Sequence, residues 1–395
     1  MTLTWIAGFN SKMKFCIYCS DVSGAFDRVS RPRLLAKLRA SGVDEELVDL
    51  LSSWLDAREA VVVVGGEQGD PMELHDMIYQ GTVWGPWLWN LFYGDARRPL
   101  HKCSFSEIIF ADDLNAFKRF RLGAPNGEVL AEGKRCQQEL HAWGRANQVE
   151  FDPKKESLHV LSHHEPAGCN FKILGIDFDC RLTMADAVSV LVSDLRWKVR
   201  SILRAQRYQS VRGMINLYKS KVLSYAEYRT AGVYHACAST LEGIDRVQSS
   251  FLRDIGVDEL SAFMEFNLAP LSLRRDIAML GLIHRAVLGQ GPNHFREFFY
   301  LERQVDRRSQ RFRRHHLQLH EYRDGHHLDI VGRSALGLAS VYNLLPRDIV
   351  EAMSVKHFQG LLQELARDLA SRGIPDWQSL YSTQHDLHAH PLLRI

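Results

Sequence analysis

Ile108-Ile109-Phe110-Ala111-Asp112-Asp113-Leu114-Asn115-Ala116-Phe117 sets two adjacent carboxylates between two short apolar runs. The pattern predicts strand, tight turn, strand, with the acids at the turn. Successive side chains of a strand point to opposite faces, and two ionised neighbours repel. A divalent cation removes much of that repulsion, because Mg²⁺ prefers carboxylate oxygens. An exposed hairpin with two solvated acids carries the same letters, since Asp is a common turn residue. The rest of the chain has to separate the two readings.

Upstream, Lys14 to Ser20 reads as a buried strand running into Asp21-Val22-Ser23-Gly24-Ala25-Phe26-Asp27. An acid at the end of an apolar strand, before a turn and a helix, is a common place for a catalytic carboxylate; a helix-capping Asp is the alternative. Cys16 and Cys19 have C-x-x-C spacing, but no second pair follows and a strand splays the thiols. They read as small buried hydrophobes. Helices are expected over Arg33 to Ala40 and about Glu45 to Ala57. Strands are expected over Ala60 to Val64 and Met72 to Tyr79, joined by a turn at Gly65, Gly66 and Gly69. Gln80-Gly81-Thr82-Val83-Trp84-Gly85-Pro86 follows, with Pro in the first turn of a buried helix that should end near Arg97-Arg98-Pro99.

Downstream of the hairpin, Val129 to Asn147 is helical in period. Lys154-Lys155 lies in a turn feeding a strand, and Phe171 to Phe178 reads as one short strand with an internal Gly. From Ala185 the apolar spacing is helical over Ala185 to Arg207, Val211 to Tyr225 and Ser239 to Ile255. This places a boundary near residue 180. His316 and His320 have the i, i+4 spacing of helix-borne metal ligands. No acid or cysteine completes the set, so a polar surface segment is expected there. Residues 334–370 return to helical patterning.

The chain has 395 residues, 46% hydrophobic and 24% charged, the composition of a globular protein with room for two or three domains. No apolar run reaches membrane-spanning length and no secretory signal is present, so the expectation is an intracellular protein, nuclear or cytoplasmic. Seven irregularly spaced cysteines argue against a disulfide framework. A net charge of +2 does not argue for nucleic acid. Two basic runs could track phosphates or be solvated helix faces. The first is Arg196, Lys198, Arg200, Arg204, Arg207, Arg212, Lys219 and Lys221. The second is Arg303, Arg307, Arg308, Arg311, Arg313 and Arg314.

Strand-Asp21, the Gln80-Gly81 turn, Phe110-Ala111-Asp112-Asp113, Lys155 after a turn and Leu174-Gly175 occur in that order. Together they resemble the palm of a reverse transcriptase, most closely of the LINE-type (non-LTR) retrotransposons. The family motifs read approximately D-x-x-x-A-F-D, Q-G-[ST]-x-x-G-P-x-x-[FW]-N, [FY]-A-D-D, N-x-x-K and a short L-G strand. The resemblance runs from about Phe15 to Arg253 and continues weakly at Tyr342-Asn343-Leu344-Leu345-Pro346. It implies an α+β fold: a right-hand polymerase palm, an antiparallel sheet with helices, over 1–180, an all-α thumb over 181–300 and a helical C-terminal region over 301–395.

The implied activity is RNA-directed DNA polymerase: phosphoryl transfer from a dNTP to a primer 3′-hydroxyl, helped by two Mg²⁺ ions, with Mn²⁺ as an alternative. By this resemblance Asp21 and Asp112 would hold both ions. Asp113 would assist, and the Val22 carbonyl could add a ligand. Lys155, with Lys154 its rival in the alignment, would be the general acid near the pyrophosphate. Phe26 would lie under the sugar and exclude a 2′-hydroxyl. Gln80 and Gly81 would pack beside nucleotide and template, and Leu174-Gly175 would be the primer grip. The partners implied are an RNA template, a DNA primer or RNA–DNA duplex and dNTPs, with no membrane.

The chain also departs from the family. About twenty residues precede Asp21, too few for a fingers subdomain. No endonuclease or zinc knuckle is recognised, and Trp84, Trp87 and Trp89 are bulky for the second motif. The expectation is a truncated copy whose activity in isolation would need a partner chain supplying fingers. The alternatives are a non-catalytic nucleic-acid-binding remnant and a group II intron maturase-like polymerase. A palm-fold nucleotidyl cyclase fits the helical block after Gly175 poorly.

Overall fold

Every residue from Lys14 to Ser20 is buried, so this strand has no solvent face and must lie inside a sheet covered on both sides. The computed structural model describes residues 1–56, 58–74, 77–302 and 314–394. Arg303, Arg307, Arg308, Arg311 and Arg313 lie outside the described residues. The chain forms two compact units, Met13–Gly175, and Met1–Lys12 with Ile176–Ile395. The first twelve residues, expected in the palm, therefore belong to the helical unit. The segments 181–300 and 301–395, expected as separate regions, lie in one unit.

In chain order, α1 (Thr2–Asn10) is followed by β1 (Met13–Ser20), α2 (Arg31–Ala40) and α3 (Glu45–Leu55). Next come β2 (Arg58–Ala60), β3 (Val63–Val64), β4 (Glu67–Gln68) and β5 (Met72–Leu74). Then α4 (Gly85–Tyr93), α5 (Arg97–Lys102), β6 (Ser106–Phe110), β7 (Asp113–Arg121), α6 (Asn126–Asn147), β8 (Ser157–Leu161) and β9 (Phe171–Ile173) complete the unit.

The sheet is antiparallel in the order β6-β7-β1-β8. Ser20 pairs with Leu114, Cys19 with Ser157, and Phe110 with Asp113. This register brings the end of β1, the β6–β7 turn and the start of β8 to one end of the sheet. Cys16 and Tyr18 on β1 share a core with Leu34, Leu88, Phe92, Leu100, Val129, Cys136 and Leu140 from the helices. Gly133 lets α6 lie close on the sheet, since a Cβ there would stand 2.7 Å from Cys16 Sγ and Leu158 Cδ2.

Three local expectations are corrected. The strands expected at 60–64 and 72–79 are shorter. β2 pairs with β5 and β3 with β4, while Val61, Val62 and Met77 to Tyr79 lie outside strands. Val61 to Val64 are exposed, so no packed face holds a longer ladder. The helix expected to stop near Pro99 passes through a 3₁₀ turn at Gly94–Ala96 and resumes as α5. Pro99 sits in the first turn of α5, where its missing N–H costs little. The single strand expected over Phe171 to Phe178 is broken by a turn at Leu174 and Gly175, with φ of +48° and +76°.

The second unit adds β10 (Ile176–Phe178), α7 (Ala185–Leu203), α8 (Val211–Tyr218), α9 (Ser224–Tyr228), α10 (Thr230–Val233), α11 (Ala238–Asp254), α12 (Glu259–Phe266) and α13 (Leu271–Val287). It continues with α14 (Leu328–Gly332), α15 (Leu338–Asn343), α16 (Arg347–Val350) and α17 (Val355–Ser371). α1 joins it through Trp5, edge-on to Phe178 at 5.7 Å, and through Asn10, whose amide donates to the Asp324 carbonyl at 2.9 Å.

The Tyr342-Asn343 pair is structural. The Tyr342 hydroxyl bonds His284 Nδ1 at 2.9 Å, and Asn343 brackets the backbone of Leu319 with bonds of 2.7 and 2.9 Å. The histidine segment is not helical. His315, expected on a polar surface, is buried and donates from Nε2 to the Tyr342 carbonyl at 3.0 Å. His320 pairs with Glu302 at 3.0 Å. No described helix is long and apolar enough to cross a membrane.

The buried Asp276 accepts from the Tyr234 hydroxyl at 2.6 Å, and burial lifts its carboxyl to about 7. In the unfolded chain the value is about 4. Between those values the folded state keeps a proton that the unfolded chain has lost, so stability falls as pH rises from about 4 to 7. Asp276→Asn keeps the acceptor for Tyr234 and removes this penalty. Its melting temperature should exceed the parent's at pH 8, with the gap narrowing towards pH 5; thermal unfolding at both pH values measures it.

Candidate active site

Asp21 leaves the end of β1 and is tied at once to the segment before β8. The Ser23 N–H donates to the Glu150 carbonyl at 2.9 Å, and the Asp152 N–H to the Asp21 carbonyl at 3.0 Å. These two bonds flank a bridge between Val22 and Phe151, and the Val22 carbonyl takes part in neither. The turn of the β6–β7 hairpin is Ala111-Asp112. Ala111 has φ +56°, a strained conformation for a residue with a Cβ. Trp89 of α4 holds it, donating from Nε1 to the Ala111 carbonyl at 2.9 Å.

Trp89 is also the middle of an aromatic stack. Its ring lies 5.4 Å from Phe26 on one side and 4.9 Å from Tyr93 on the other, both stacked. Phe26 in turn accepts the Ile78 N–H on its carbonyl at 2.8 Å, which brings the Gln80-Gly81 turn beside it. Gly81 has φ +81°, and Gln80 is exposed. Thr82 caps α4, its hydroxyl accepting from the Gly85 N–H at 3.1 Å. Gly85 eases the packing there, because a Cβ would stand 3.0 Å from the Tyr79 carbonyl, a tight contact.

The electrostatics are those of crowded carboxylates. Burial, then Asp21 and Asp112, hold the Asp113 carboxyl above its ordinary value, with Lys155 opposing. The Tyr93 hydroxyl is buried and has no hydrogen-bond partner among the described residues. Burial, then Asp112, Asp21 and Asp113, push its pKa well up. Lys155 Nζ lies 2.6 Å from Asp21 Oδ2, and this bond raises the pKa of the ammonium.

The structure thus brings together Asp21, Asp112, Asp113 and Lys155, and joins Phe26, Gln80 and Gly81 through the aromatic stack. Leu174 and Gly175 are not among the residues so joined. The carboxylate oxygens of Asp21, Asp112 and Asp113 are donors of the kind that suits a hard divalent cation. As the side chains stand, no group of three or more His, Cys, Asp or Glu among the described residues is placed to hold a metal ion.

Three comparisons with known proteins give likenesses for the chain. Residues 6–178 match the family described as reverse transcriptase (RNA-dependent DNA polymerase). It is over this stretch that the chain is similar to reverse transcriptases. The RNA-directed DNA polymerase of mobile element jockey from Drosophila melanogaster is 27% identical over 264 residues, 60% of this chain and 28% of that protein. The Pol polyprotein of the type-1 retrotransposable element R2 from Popillia japonica is 28% identical over 116 residues, 27% of this chain and 19% of that protein. These matches bear out the resemblance to LINE-type reverse transcriptases. The chain matches less than a third of the length of these curated relatives. A solved telomerase from Candida albicans, in complex with a fragment of telomeric RNA, superposes with a TM-score of 0.33 at 10% identity, covering 64% of this chain and 48% of that one.

Two supports of this carboxylate site are not legible from the motifs. Trp89, bulky for the second motif, holds the hairpin turn; its spacing of four from Tyr93 on a Gly-Pro helix is the signal that the sequence offers. Glu156 was passed over beside Lys155. Its side chain is only 5% exposed and accepts from Tyr18, from Gln137 at 3.2 Å and from His141 Nε2 at 2.9 Å. Nothing local marks that burial. Glu156→Ala strands the Tyr18 hydroxyl and should cost about 2–3 kcal/mol in urea unfolding. Adding Tyr18→Phe should recover part of the loss.

Proposed function

We propose that the reverse transcriptase domain of this chain catalyses RNA-directed DNA synthesis, adding dNTPs to a primer 3′-hydroxyl. The observation that carries the proposal is the convergence of Asp21, Asp112 and Asp113 at one sheet end, with Asp113 burdened by the other two. Asp21 and Asp112 would hold the divalent cations, with Asp113 and the Val22 carbonyl in support. Bound there, Mg²⁺ would lower the pKa of the primer hydroxyl and neutralise the triphosphate.

The chain's own residues supply the rest. Phe26, stacked on Trp89, is backed by a ring that cannot yield, so it would present a fixed wall to the sugar and favour deoxyribonucleotides. The Gln80-Gly81 turn would pack against the nucleotide and template. Lys155 would give a proton to the departing pyrophosphate. Leu174-Gly175 would touch the primer, and α7 and the helices after it would act as a thumb, with Arg196, Arg200 and Arg204 on backbone phosphates.

Primer extension on an RNA template with dNTPs and Mg²⁺ tests this. Asp112→Ala should lower extension at least about a thousandfold, as removal of a group central to the transition state does. Phe26→Val should raise ribonucleotide incorporation relative to deoxyribonucleotide by roughly tenfold or more. If the parent binds primer–template at low salt yet extends nothing, with or without a fingers-bearing partner chain, the chain is a binding remnant and the proposal fails.

A further inference from the structure

Lys155 stands on a built support. Its own N–H and that of Glu156 donate to the Asp152 carbonyl at 3.0 and 3.1 Å, while Asp152 is bonded to the Asp21 backbone. The next side chain, Glu156, is buried among Tyr18, Ser20, Gln137 and His141. The backbone under Lys155 is therefore fixed, while its side chain is 62% exposed and reaches Asp21, itself 16% exposed. Two further carboxylates, Asp112 and Asp113, act on the same place. Lys155 is the cation that the described contacts bring to Asp21.

We propose that Lys155 is the resident counter-ion of the carboxylate cluster, holding Asp21 until a divalent cation displaces it. The inference rests on reading Asp21, Asp112 and Asp113 as a cation site, and it gives Lys155 a role before any chemistry. A lone exposed lysine pair is weak and readily broken, whereas a doubly charged ion interacts with all the carboxylates at once. Displacement turns the ammonium away from Asp21. The event that loads the cation then frees the group that stands ready for the leaving pyrophosphate.

The test is Mn²⁺ binding to the full chain without nucleotide or nucleic acid, read by electron paramagnetic resonance of free Mn²⁺, with circular dichroism as the check on folding. Lys155→Met should tighten Mn²⁺ about fivefold, the size expected for removing one exposed competing charge. Lys155→Arg should leave the affinity near the parent's. Asp112→Asn should weaken binding in the parent and in Lys155→Met. Affinity that depends on Asp112 but is unchanged or weaker in Lys155→Met overturns the counter-ion role and leaves the cation site standing. Binding that ignores Asp112, or no binding in any variant, overturns both.

Discussion

Carboxylates gathered at one place repel one another, and much of the unit from Met13 to Gly175 is arranged around bearing that cost. The register of β1 against β7 and β8 leaves Asp21, Asp112, Asp113 and Lys155 no choice but to meet. One lysine offsets part of the repulsion. The rest is contained by rigidity: the bridge at Val22, the tryptophan bond to the strained Ala111 and the buried anchor at Glu156. These contacts fix the segments that carry the acids and Lys155.

The aromatic stack extends this rigidity to Phe26. Trp89 serves the hairpin through its indole N–H and Phe26 through its face. A change at Trp89 therefore reaches both the hairpin turn that carries Asp112 and the placement of the Phe26 ring. Bulk at this position is thus a structural choice rather than a tolerated departure from the motif.

The helical unit is organised by different physics. It is knit by paired polar groups: Tyr342 with His284, Asn343 with the Leu319 backbone, and Arg275 with Asp245 through two bonds of 2.7 and 2.9 Å. Buried groups with matched partners specify one packing more sharply than apolar contacts alone. The Tyr342-Asn343-Leu344-Leu345-Pro346 motif earns its place there as a core element, and His315, which reads as a surface histidine, is drawn in by a carbonyl of that motif.

Local pattern by itself determined the hairpin around Asp112-Asp113, the buried strand before Asp21, the long helices and the order of the polymerase motifs. Period and turn chemistry act over a few residues, and motif order is a property of the chain. Tertiary structure alone decided that β2 to β5 are short, that Pro99 continues a helix, that Leu174-Gly175 is a turn, and that Met1–Lys12 joins the helical unit. It alone decided that Glu156 is buried and that Lys155 rests on Asp21, 134 positions away. Packing and pairing between distant segments set these outcomes, and no window of sequence contains both partners.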